Sequence, residues 1–249
     1  MTLAIMQPYF FPYLGYWQLI ANCDEFIFFD VVQYNKRSWM NRNRILHPDQ
    51  SKDFQYISVP IKKHSAGTLI SDVVLNNTEK WQDKILGQLT VYKKLQAPFY
   101  NETVALIEMI LNKDYEKFLD LSIESTKVIC NYLDLDLKYQ IASNLDFNKD
   151  YIERPGDWAL EISKKLQATN YINPQGGYEI FDENKYTSNG IDLMFLKSNL
   201  THYKQSRREG FKAGLSIIDV LMFNSKDIIR NLLFNDFQKL TKKDLVGDM

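Results

Sequence analysis

The sequence predicts an α/β protein with a parallel sheet, and three observations support this prediction. An apolar run, a segment of helical spacing and a second apolar run follow one another over residues 2–32. Strand, helix and buried strand in this order are typical of a right-handed βαβ unit. A second alternation of helices and strands covers residues 157–196, and long segments of helical spacing lie between and after the two. We therefore predict a Rossmann-like fold with a βαβ start, a helical middle segment and a helical C-terminal tail.

The first βαβ unit lies near the N-terminus. Residues 2–6 form its first strand, and apolar residues then recur at helical spacing over residues 12–23, with Pro12 suited to a first helical turn. EFIFFDVV, residues 25–32, is nearly continuously apolar, which is the pattern of a strand buried on both faces. The alternating FQYISVPI, residues 54–61, predicts a further strand that is an edge strand or ends at its proline.

The rest of the chain alternates between helices and short strands. We expect helices over residues 79–95, 101–112, 115–133, 157–167 and 181–186, strands over 134–140, 170–173 and 192–196, a Gln-Gly-Gly turn at 175–177, and a helical tail from about 216 to 243. Neither an internal repeat nor a Gly/Ser linker interrupts the chain. We therefore predict one α/β domain over residues 1–249, with a mostly helical insertion at about 79–133.

Composition argues against several classes of protein. Apolar residues make up 45% of the 249 residues and charged residues 24%, which is ordinary for a folded globular domain. The net charge of −1 argues against broad binding to nucleic acid or to acidic membranes, so an anion site has to be local. Two cysteines, Cys23 and Cys130, are too few for a disulfide framework or a cysteine zinc site. Without a membrane-length apolar run or a secretory signal, we expect a cytoplasmic protein that has no metal site and does not bind membranes.

The stretch around the end of the first strand, MQPYFFPYLGYWQLI, is unusually aromatic. In parallel α/β sheets ligands bind beyond the carboxyl ends of the strands, which is where these residues fall. Gln7, Tyr9, Tyr13 and Tyr16 are therefore candidates for the wall of a substrate pocket. The alternative is an aromatic plug that seals the top of the sheet against solvent.

The order of strand, proline-rich turn, Pro-x-x-Gly and helix resembles that of nucleotidylyltransferases. In those enzymes a histidine motif follows the first strand, and here Tyr16 stands where the second histidine of the motif is expected. The resemblance therefore supports the fold, and it leaves nucleotidyl transfer as an alternative function that lacks its phosphate-binding histidine.

A more extensive resemblance appears when several segments are taken together. QPYFFPYLGYWQLI, DEFIFFDVVQY and WMNRNRI, followed by NYINPQGGYEIF, THYKQ and LSIIDVLMFN, resemble the WbqC-like family over nearly the whole chain. That family is found among bacterial genes for O-antigen and other surface polysaccharides. The resemblance implies a glycine transferase of O-antigen or lipopolysaccharide biosynthesis, which attaches glycine or a similar aminoacyl group to the amine of an amino sugar.

Two residues are candidates for a general base. Asp30 ends the apolar run EFIFFD, and a carboxylate at the carboxyl end of a strand faces the crevice of an open sheet. Aspartate in this position equally suits a turn or a helix cap. His64 follows a strand and two lysines, and a neutral imidazole there can transfer a proton. The alternative for His64 is an ordinary surface histidine.

A basic segment, YNKRSWMNRNR, places cations around Trp39. Arginine binds phosphate oxygens in pairs and a tryptophan face stacks on a base, so the segment suits a nucleotide diphosphate or the end of an aminoacyl-tRNA. Arg42 and Asn43 lie in a piece that matches the WbqC-like family and are the residues we favour, while Gln33 is placed to hold an amide or hydroxyl. The alternative is a solvated basic loop. The cations of the segment are Lys36, Arg37, Arg42 and Arg44.

The C-terminal half contributes two further groups of candidate binding residues. Gly176, Gly177 and Tyr178 lie between a strand and a helix, where backbone amides can bind phosphate or carboxylate, although a tight turn alone explains two glycines. Tyr203 and Gln205 lie in a second basic patch. The cations of that patch are Lys204, Arg207, Arg208 and Lys212.

Four other polar or sulfur-containing residues are assigned structural roles. Ser216 and Asp219 predict a variant capping box at the start of the helical tail, which accounts for both without a catalytic role. Cys23 and Cys130 lie in a helix-to-strand joint and on an apolar helix face, so neither is expected to be a thiolate nucleophile. Direct attack of an amine on an activated acyl group is then the simplest mechanism.

The hypothesis that combines these inferences is an aminoacyl transferase. Its acceptor is the amine of a dTDP- or UDP-linked amino sugar, and its donor is an aminoacyl-tRNA or an amino acid with ATP. No cofactor is identified, and the oligomeric state is left open. The alternatives are a nucleotidylyltransferase-like enzyme and a non-catalytic module of a glycan pathway that binds sugar nucleotides.

Overall fold

A computed structural model of the chain describes residues 1–36, 38–205 and 210–247. The predicted cations Arg37, Arg207 and Arg208 lie outside these residues. The strands of the central sheet are β1 (Thr2–Met6), β2 (Glu25–Phe28), β5 (Tyr139–Ile141), β6 (Asn170–Pro174), β7 (Asp192–Ser198) and β8 (Phe237–Leu240). A separate hairpin pairs β3 (Arg42–Leu46) with β4 (Phe54–Ser58).

Within the described ranges, the order of the six central strands is β5-β2-β1-β6-β7-β8. All neighbours are parallel except β7 and β8, which are antiparallel. The chain moves from β1 towards one edge through β2 and β5, and then returns to pair β6 with the other side of β1. The predicted α/β class with a βαβ start is confirmed, while the closer Rossmann-like description stays a prediction.

Helices cover both faces of the sheet. The helices are α1 (Leu14–Ala21), α2 (Trp81–Lys94), α3 (Tyr100–Leu111), α4 (Phe118–Tyr132), α5 (Pro155–Lys165), α6 (Glu183–Ser188), α7 (Ile217–Phe223), α8 (Lys226–Asn235) and α9 (Lys242–Gly247). The predicted helical middle segment corresponds to α2, α3 and α4. The assignment of the whole chain to one domain stays a prediction.

Two apolar cores result from the alternation of side chains along the strands. In β1, Leu3 and Ile5 pack with α5 and α6, whereas Ala4 packs on the opposite face with α1. Successive side chains of a strand point to opposite faces, so a sheet that is covered on both sides needs apolar residues at nearly every position. The continuous apolar runs of β1 and β2 satisfy this requirement.

Three sequence predictions of local structure are wrong or incomplete. Pro12 is not in the first turn of α1, because the helix starts at Leu14 with Tyr13 as its N-cap residue. The tail is not helical throughout, since β8 interrupts it and pairs with β7, an edge that would otherwise have unpaired backbone groups. The segment taken as a basic loop contains β3, whose alternation of buried and half-buried residues is typical of a hairpin lying on a core.

Candidate functional site

The crevice of the sheet lies between β1 and β6, because the chain segments that follow these two neighbouring strands cross opposite faces of the sheet. The chain leaves β1 towards α1 on one face, and leaves β6 towards α6 on the other, so the carboxyl ends of these strands diverge. A cavity of about 790 Å³, called here the strand-end cavity, opens at this place. It is lined among others by Gln7, Gln33, Asn35, Arg154, Trp158 and Asn173. Ligands of open parallel sheets bind at such switch points.

Apolar walls and a few polar groups make the strand-end cavity suitable for a small polar ligand. Phe29 and Trp158 contribute aromatic walls and contact each other edge to face, with ring centroids 5.6 Å apart. Gln7 and Gln33 are placed at this cavity as the sequence predicts. Asn173 has its amide in use, because its oxygen accepts from the Tyr171 hydroxyl at 3.0 Å and its nitrogen donates to the Pro174 carbonyl at 3.0 Å.

The aromatic turn, residues 7–13, divides its side chains between core and cavity. Phe10 and Phe11 are fully buried, whereas Tyr9 and Tyr13 are half-buried. Burial raises the pKa of the Tyr9 phenol, with a further contribution from Tyr13, and burial also raises the pKa of Tyr13. Both hydroxyls therefore keep their protons at neutral pH and can donate hydrogen bonds to a ligand. The two readings of this stretch, pocket wall and aromatic plug, each describe some of its residues.

Phe11 holds an unusual backbone conformation at the centre of the aromatic turn. Its φ angle is 43°, in the left-handed region, which costs a non-glycine residue on the order of 1–3 kcal/mol. Two buried donors meet its carbonyl oxygen, the Asn43 side-chain amide at 2.8 Å and the Ser216 hydroxyl at 2.7 Å. Asn43 comes from the hairpin and Ser216 from the start of α7, so three distant segments are joined at this carbonyl.

Backbone hydrogen bonds extend the same junction. The amide of Phe10 donates to the Met40 carbonyl at 2.7 Å, and that of Ser216 donates to the Arg44 carbonyl at 2.8 Å. Ile217 donates to the Pro12 carbonyl at 2.9 Å. The aromatic turn, the hairpin and the start of α7 therefore form one connected support for the side chains above them.

A second cavity, of about 370 Å³, opens between the aromatic turn and the hairpin, and is called the hairpin cavity. It is lined by Tyr9, Pro12, Tyr13, Trp39, Asn43, Arg44, Leu200 and Gly214. The structure therefore brings Tyr9, Tyr13, Trp39 and Asn43 to one wall, as the sequence predicts. Tyr9 lines both this cavity and the strand-end cavity, so the two adjoin at its side chain.

Arg44 is the cation that lines the hairpin cavity, although the sequence favoured Arg42. One terminal nitrogen of Arg44 donates to the Gly214 carbonyl at 3.1 Å, and its Nε is buried without a hydrogen-bond partner within the described chain. Arg42 lies farther along the hairpin, with its guanidinium 5.6 Å from the centre of the Trp39 ring and 5.3 Å from that of Tyr56. Alternation in a strand places both arginines on one side, but the sequence does not say which of them faces a cavity.

Gly15 allows the ring of Tyr13 to lie against α1. A Cβ atom at Gly15 would come within 2.6 Å of the Tyr13 ring, a distance that a real methyl group does not reach. The space that a side chain at Gly15 would need is therefore occupied by the ring of a residue two positions earlier. Tyr13 is in this way directed towards the hairpin cavity.

A third cavity, of about 550 Å³, contains His64 and adjoins the strand-end cavity. The two share Gln33 and Asn35 as lining residues. The Nδ1 of His64 lies 3.2 Å from the Ser65 carbonyl oxygen, and its ring contacts Tyr34 edge to face at 5.1 Å. Because a carbonyl only accepts, Nδ1 carries the proton in this hydrogen bond, which leaves Nε2 of the neutral ring as the acceptor.

Asp30 has a structural partner that the sequence did not show. The side chain is fully buried, and its two oxygens accept from the Ser143 amide at 2.9 Å and the Ser143 hydroxyl at 2.6 Å. The carboxylate thereby links the end of β2 to the 3-10 turn Ala142–Asn144 after β5. A catalytic role for Asp30 stays a prediction, and its hydrogen bonds favour the turn role that was left open beside it.

Tyr16 is buried and lines neither the strand-end cavity, the hairpin cavity nor the cavity of His64. It is 1% exposed, and its hydroxyl donates to the Gln7 carbonyl at 3.0 Å. As a substrate contact it is therefore corrected to a core residue that ties α1 to the aromatic turn. Tyr16 is also the residue at the position of the second histidine of nucleotidylyltransferases, so that position faces the core here. Nucleotidyl transfer stays an alternative prediction.

The segment with two glycines forms a 3-10 helix, Gln175–Ile180, next to the strand-end cavity. Its neighbours Asn173, Ile180 and Phe181 line the cavity. A Cβ at Gly177 would lie 2.5 Å from the Asn173 side-chain nitrogen, whereas at Gly176 there is open space. The Tyr178 hydroxyl donates to Glu179 at 3.3 Å. The predicted contacts of these residues with a ligand stay predictions.

Tyr203 and Gln205 point to a buried carboxylate that the sequence assigned to a capping box. Asp219 is fully buried and accepts from the Tyr92 hydroxyl at 2.8 Å, the Tyr203 hydroxyl at 2.6 Å and the Gln205 amide at 2.7 Å. Ser216 caps α7 as predicted, since its oxygen accepts from the Ile218 amide. Asp219 instead accepts from Tyr203 and Gln205, and the Gln205 side chain also bonds to the backbone of Lys212, two residues before Gly214. A direct contact of Tyr203 or Gln205 with substrate stays a prediction.

Three groups were missed as site residues: Arg44, Asp219, and Trp158 with Arg154. Trp158 and Arg154 lie more than half the chain length after the aromatic turn, and only the pairing of β6 with β1 brings them to the crevice. For Arg44 the basic segment was a usable signal. For Asp219 the signal was a charged residue at the third position of an otherwise apolar helix start. The capping-box pattern explained this residue, which was therefore not assigned to the site.

Both cysteines are buried enough to disfavour their thiolate forms. Burial raises the pKa of Cys130 to about 12, and burial together with the charge of Asp24 raises that of Cys23 to about 12. Among the described residues no cluster of three or more His, Cys, Asp or Glu side chains is placed to bind a metal ion. Over the same residues, every helix is too short or too polar to cross a membrane.

The fold and the strand-end cavity define an α/β protein with a ligand-sized opening at the carboxyl end of a mostly parallel sheet. Within this class the chain belongs to the WbqC-like protein family, whose model matches residues 7–231. It is also 28% identical over 223 residues to a Mycobacterium tuberculosis protein named Uncharacterized protein Rv1507c, which covers 89% of this chain and 92% of the relative. No solved structure matches the chain.

Proposed function

We propose that the protein is an aminoacyl transferase that attaches a glycyl group to the amine of a nucleotide-linked amino sugar. The family resemblance suggests the glycyl group and the amino sugar. The observation that carries the proposal is the position of Tyr9, which lines two separate cavities of different character. A transferase has to hold a donor and an acceptor side by side, and two adjoining cavities with a shared wall suit that task.

The strand-end cavity is the better place for the sugar nucleotide. Its volume of about 790 Å³ lies within the usual range of ligand pockets, and it is about twice that of the hairpin cavity. Phe29 and Trp158 offer apolar faces to a sugar ring, and Gln7, Gln33 and Arg154 offer polar contacts to hydroxyl and phosphate groups. The diphosphate is thereby assigned to this cavity rather than to the basic segment around Arg42.

The transfer step forms a carbon–nitrogen bond and breaks the bond between the acyl carbon and its carrier. The sugar ammonium loses two protons on becoming an amide. His64, with Nε2 as acceptor and Gln33 and Asn35 leading to the strand-end cavity, takes one proton and passes it to solvent. The other proton restores the leaving group of the donor. Tyr9, protonated and facing both cavities, donates a hydrogen bond to the oxyanion that forms on the acyl carbonyl.

The proposal is tested by incubating the protein with a dTDP- or UDP-amino sugar and three donors in parallel. The donors are glycyl-tRNA, glycine with ATP, and glycyl-coenzyme A. Mass spectrometry should find the sugar nucleotide heavier by one glycyl residue with at least one donor. The same sugar nucleotide with a hydroxyl in place of the amine should stay unchanged.

Two histidine variants separate chemistry from folding. His64→Gln should reduce turnover by about 10²–10⁴-fold, the usual contribution of a general base. His47→Gln changes a histidine at the hairpin tip, whose Nδ1 lies 2.9 Å from the Asp49 amide, and should leave turnover unchanged. Absence of product with every donor, together with tight binding of the sugar nucleotide, would instead identify a non-catalytic binding module.

A further inference from the structure

The hairpin and the neighbouring Trp39 carry a cluster of aromatic rings and guanidinium groups, called here the arginine–aromatic stack. Its members are Phe54, Arg44, Trp39, Arg42 and Tyr56. Each guanidinium carbon lies near two ring centres, at 4.9 and 5.0 Å for Arg44 and at 5.6 and 5.3 Å for Arg42. The Tyr56 ring also contacts the rings of Trp39 and Phe54, with centroids 5.9 and 5.4 Å apart. Cross-strand pairing of Arg44 with Tyr56 places these side chains on one side of the hairpin.

Two rings of the arginine–aromatic stack are exposed to solvent, whereas a cluster that only stabilises the fold would bury its rings. Trp39 is 40% exposed and Tyr56 is 42% exposed, so large ring surfaces face water although the chain has an extensive core. Cation–π contacts stabilise the hairpin, and this accounts for the packing of the arginines. It does not account for the large exposed fractions of Trp39 and Tyr56. Aromatic rings with interleaved arginines on a β surface are the equipment with which proteins stack the bases of single-stranded nucleic acid.

The stack runs directly into the hairpin cavity. Trp39 and Arg44 belong to both, whereas Tyr56 lies on the outer part of the stack. A ligand that follows the stack inwards therefore passes Tyr56, then Trp39, and arrives beside Tyr9 at the wall of the strand-end cavity. A single nucleotide needs only one ring to stack on. Two exposed rings followed by a small cavity suit several bases in a row and a terminal residue.

We propose that the arginine–aromatic stack and the hairpin cavity bind the single-stranded 3′ end of a tRNA, with bases on Tyr56 and Trp39 and the terminal adenosine in the cavity. The assignment of the tRNA as glycyl donor rests on the proposed function. In that step the ester bond between the acyl carbon and the ribose oxygen breaks, the amide bond to the sugar nitrogen forms, and the ribose hydroxyl is restored by a proton from the ammonium.

The charge of the protein indicates how such an RNA is held. With a net charge of −1 the chain cannot bind an RNA backbone broadly, so recognition is confined to a short end that is held mainly by stacking. Arg44 contributes the charge at the mouth of the cavity. For single strands each phosphate contact changes the slope of log affinity against log salt by about −0.7, so a shallow slope is expected.

Binding is measured by fluorescence anisotropy with a labelled short RNA that ends in CCA. Trp39→Ala and Tyr56→Ala should each weaken binding by between about 5- and 140-fold, the value of one stacked base. Trp39→Phe keeps a ring and should retain most of the affinity. The matched control is Phe234→Ala on α8, since Phe234 is likewise 40% exposed beneath an arginine, Arg230, and this variant should bind like the unchanged protein.

Two further arms test the single-stranded end and the charge. An RNA whose 3′ end is paired to its last nucleotide should bind at least tenfold more weakly. Arg44→Gln should make the salt slope shallower by about 0.7. Equal binding of the paired RNA, or unchanged RNA affinity in both Trp39→Ala and Tyr56→Ala, would overturn the proposal. The same holds if these variants lose affinity for UDP or dTDP and not for RNA.

The outcome is separable from that of the proposed function. If the CCA-ended RNA binds through the stack but no glycyl group reaches any amino sugar, the RNA site stands and the transferase proposal fails. If glycine with ATP supports transfer while RNA neither binds nor serves as donor, the transferase stands and the RNA site fails. Thermal unfolding of each variant confirms that it is folded before binding is compared.

Discussion

The way in which the aromatic turn is held leads to a quantitative prediction. Asn43 and Ser216 both donate to the Phe11 carbonyl, at 2.8 and 2.7 Å. Asn43→Ala loses this bond and the one that its oxygen accepts from the Arg44 amide at 2.8 Å, each worth about 1 kcal/mol. Ser216→Ala loses its bond to Phe11 and the cap of α7, again about 1 kcal/mol each. Each single variant should therefore lower the free energy of unfolding by about 2 kcal/mol.

The double variant should lose more than the sum of the single losses. After one substitution the remaining side chain still satisfies the carbonyl of Phe11, which is fully buried. After both, the described chain offers this carbonyl no donor, and an unsatisfied buried group costs about a further 1–3 kcal/mol. The strained φ of Phe11 loses its support at the same time. We therefore expect a total loss of about 5–7 kcal/mol for Asn43→Ala with Ser216→Ala.

Urea unfolding of the four proteins measures the coupling, with trimethylamine N-oxide added if the double variant is too unstable alone. The matched control is Asn41→Ala, which removes a bond to the Val59 carbonyl in the same segment and shares no acceptor with Ser216. Its combination with Ser216→Ala should be additive. If the Asn43 and Ser216 losses also add within about 0.5 kcal/mol, the shared carbonyl is not what holds the turn.

Three further predictions follow from individual contacts. Gly15→Ala brings a Cβ to within 2.6 Å of the Tyr13 ring and should weaken binding of the CCA-ended RNA at the hairpin cavity by about tenfold in calorimetry. Gly87→Ala lies on an open helix surface and should instead raise the free energy of unfolding by about 0.5–1 kcal/mol. Asp219→Ala removes the shared acceptor of two tyrosine hydroxyls and the Gln205 amide and should cost about 3–5 kcal/mol in urea unfolding; a cost below about 1 kcal/mol would contradict its role. Burial raises the pKa of Cys130 to about 12, so iodoacetamide at pH 8 should leave it unmodified until the protein unfolds. The Cys130 thiol ionises at a lower pH in the unfolded chain than in the folded protein. The buried neutral thiol therefore stabilises the fold fully below about pH 9, and this stabilisation is lost as the pH rises towards 12. Cys130→Ala should make the decline of stability over this pH range shallower.

The predictable part of the fold rests on the period of the apolar pattern. β1, β2, β6 and β7 were found because a strand buried on both faces has to be apolar at nearly every position. The hairpin strand β3 was missed, because its two arginines are held among aromatic rings and its sequence carries no long apolar run. β8 was missed for a similar reason. FQKL is short and polar, and it is a strand only because the edge of β7 is free to pair with it.

The candidate site was predictable in its composition and not in its geometry. Tyr9, Tyr13, Trp39 and Asn43 could be named because aromatic and amide side chains cluster after the first strand and in the basic segment. Which of them face a ligand depends on rotations and packing that the local sequence does not encode. Tyr16 lies inside α1 and is 1% exposed, whereas Tyr13 is the extended N-cap residue before the helix and is half-buried.

The sequence alone determined that the chain is an α/β protein with polar and aromatic side chains where its first strand ends, since residue type and period are local properties. The tertiary structure decided that Asp30 and Asp219 satisfy buried donors, that Arg44 borders a cavity, and that Tyr9 joins two of them. These facts depend on which distant segments meet. Such meetings follow from the pairing of β1 with β6 and from the packing of the hairpin against α7, and a linear pattern does not contain them.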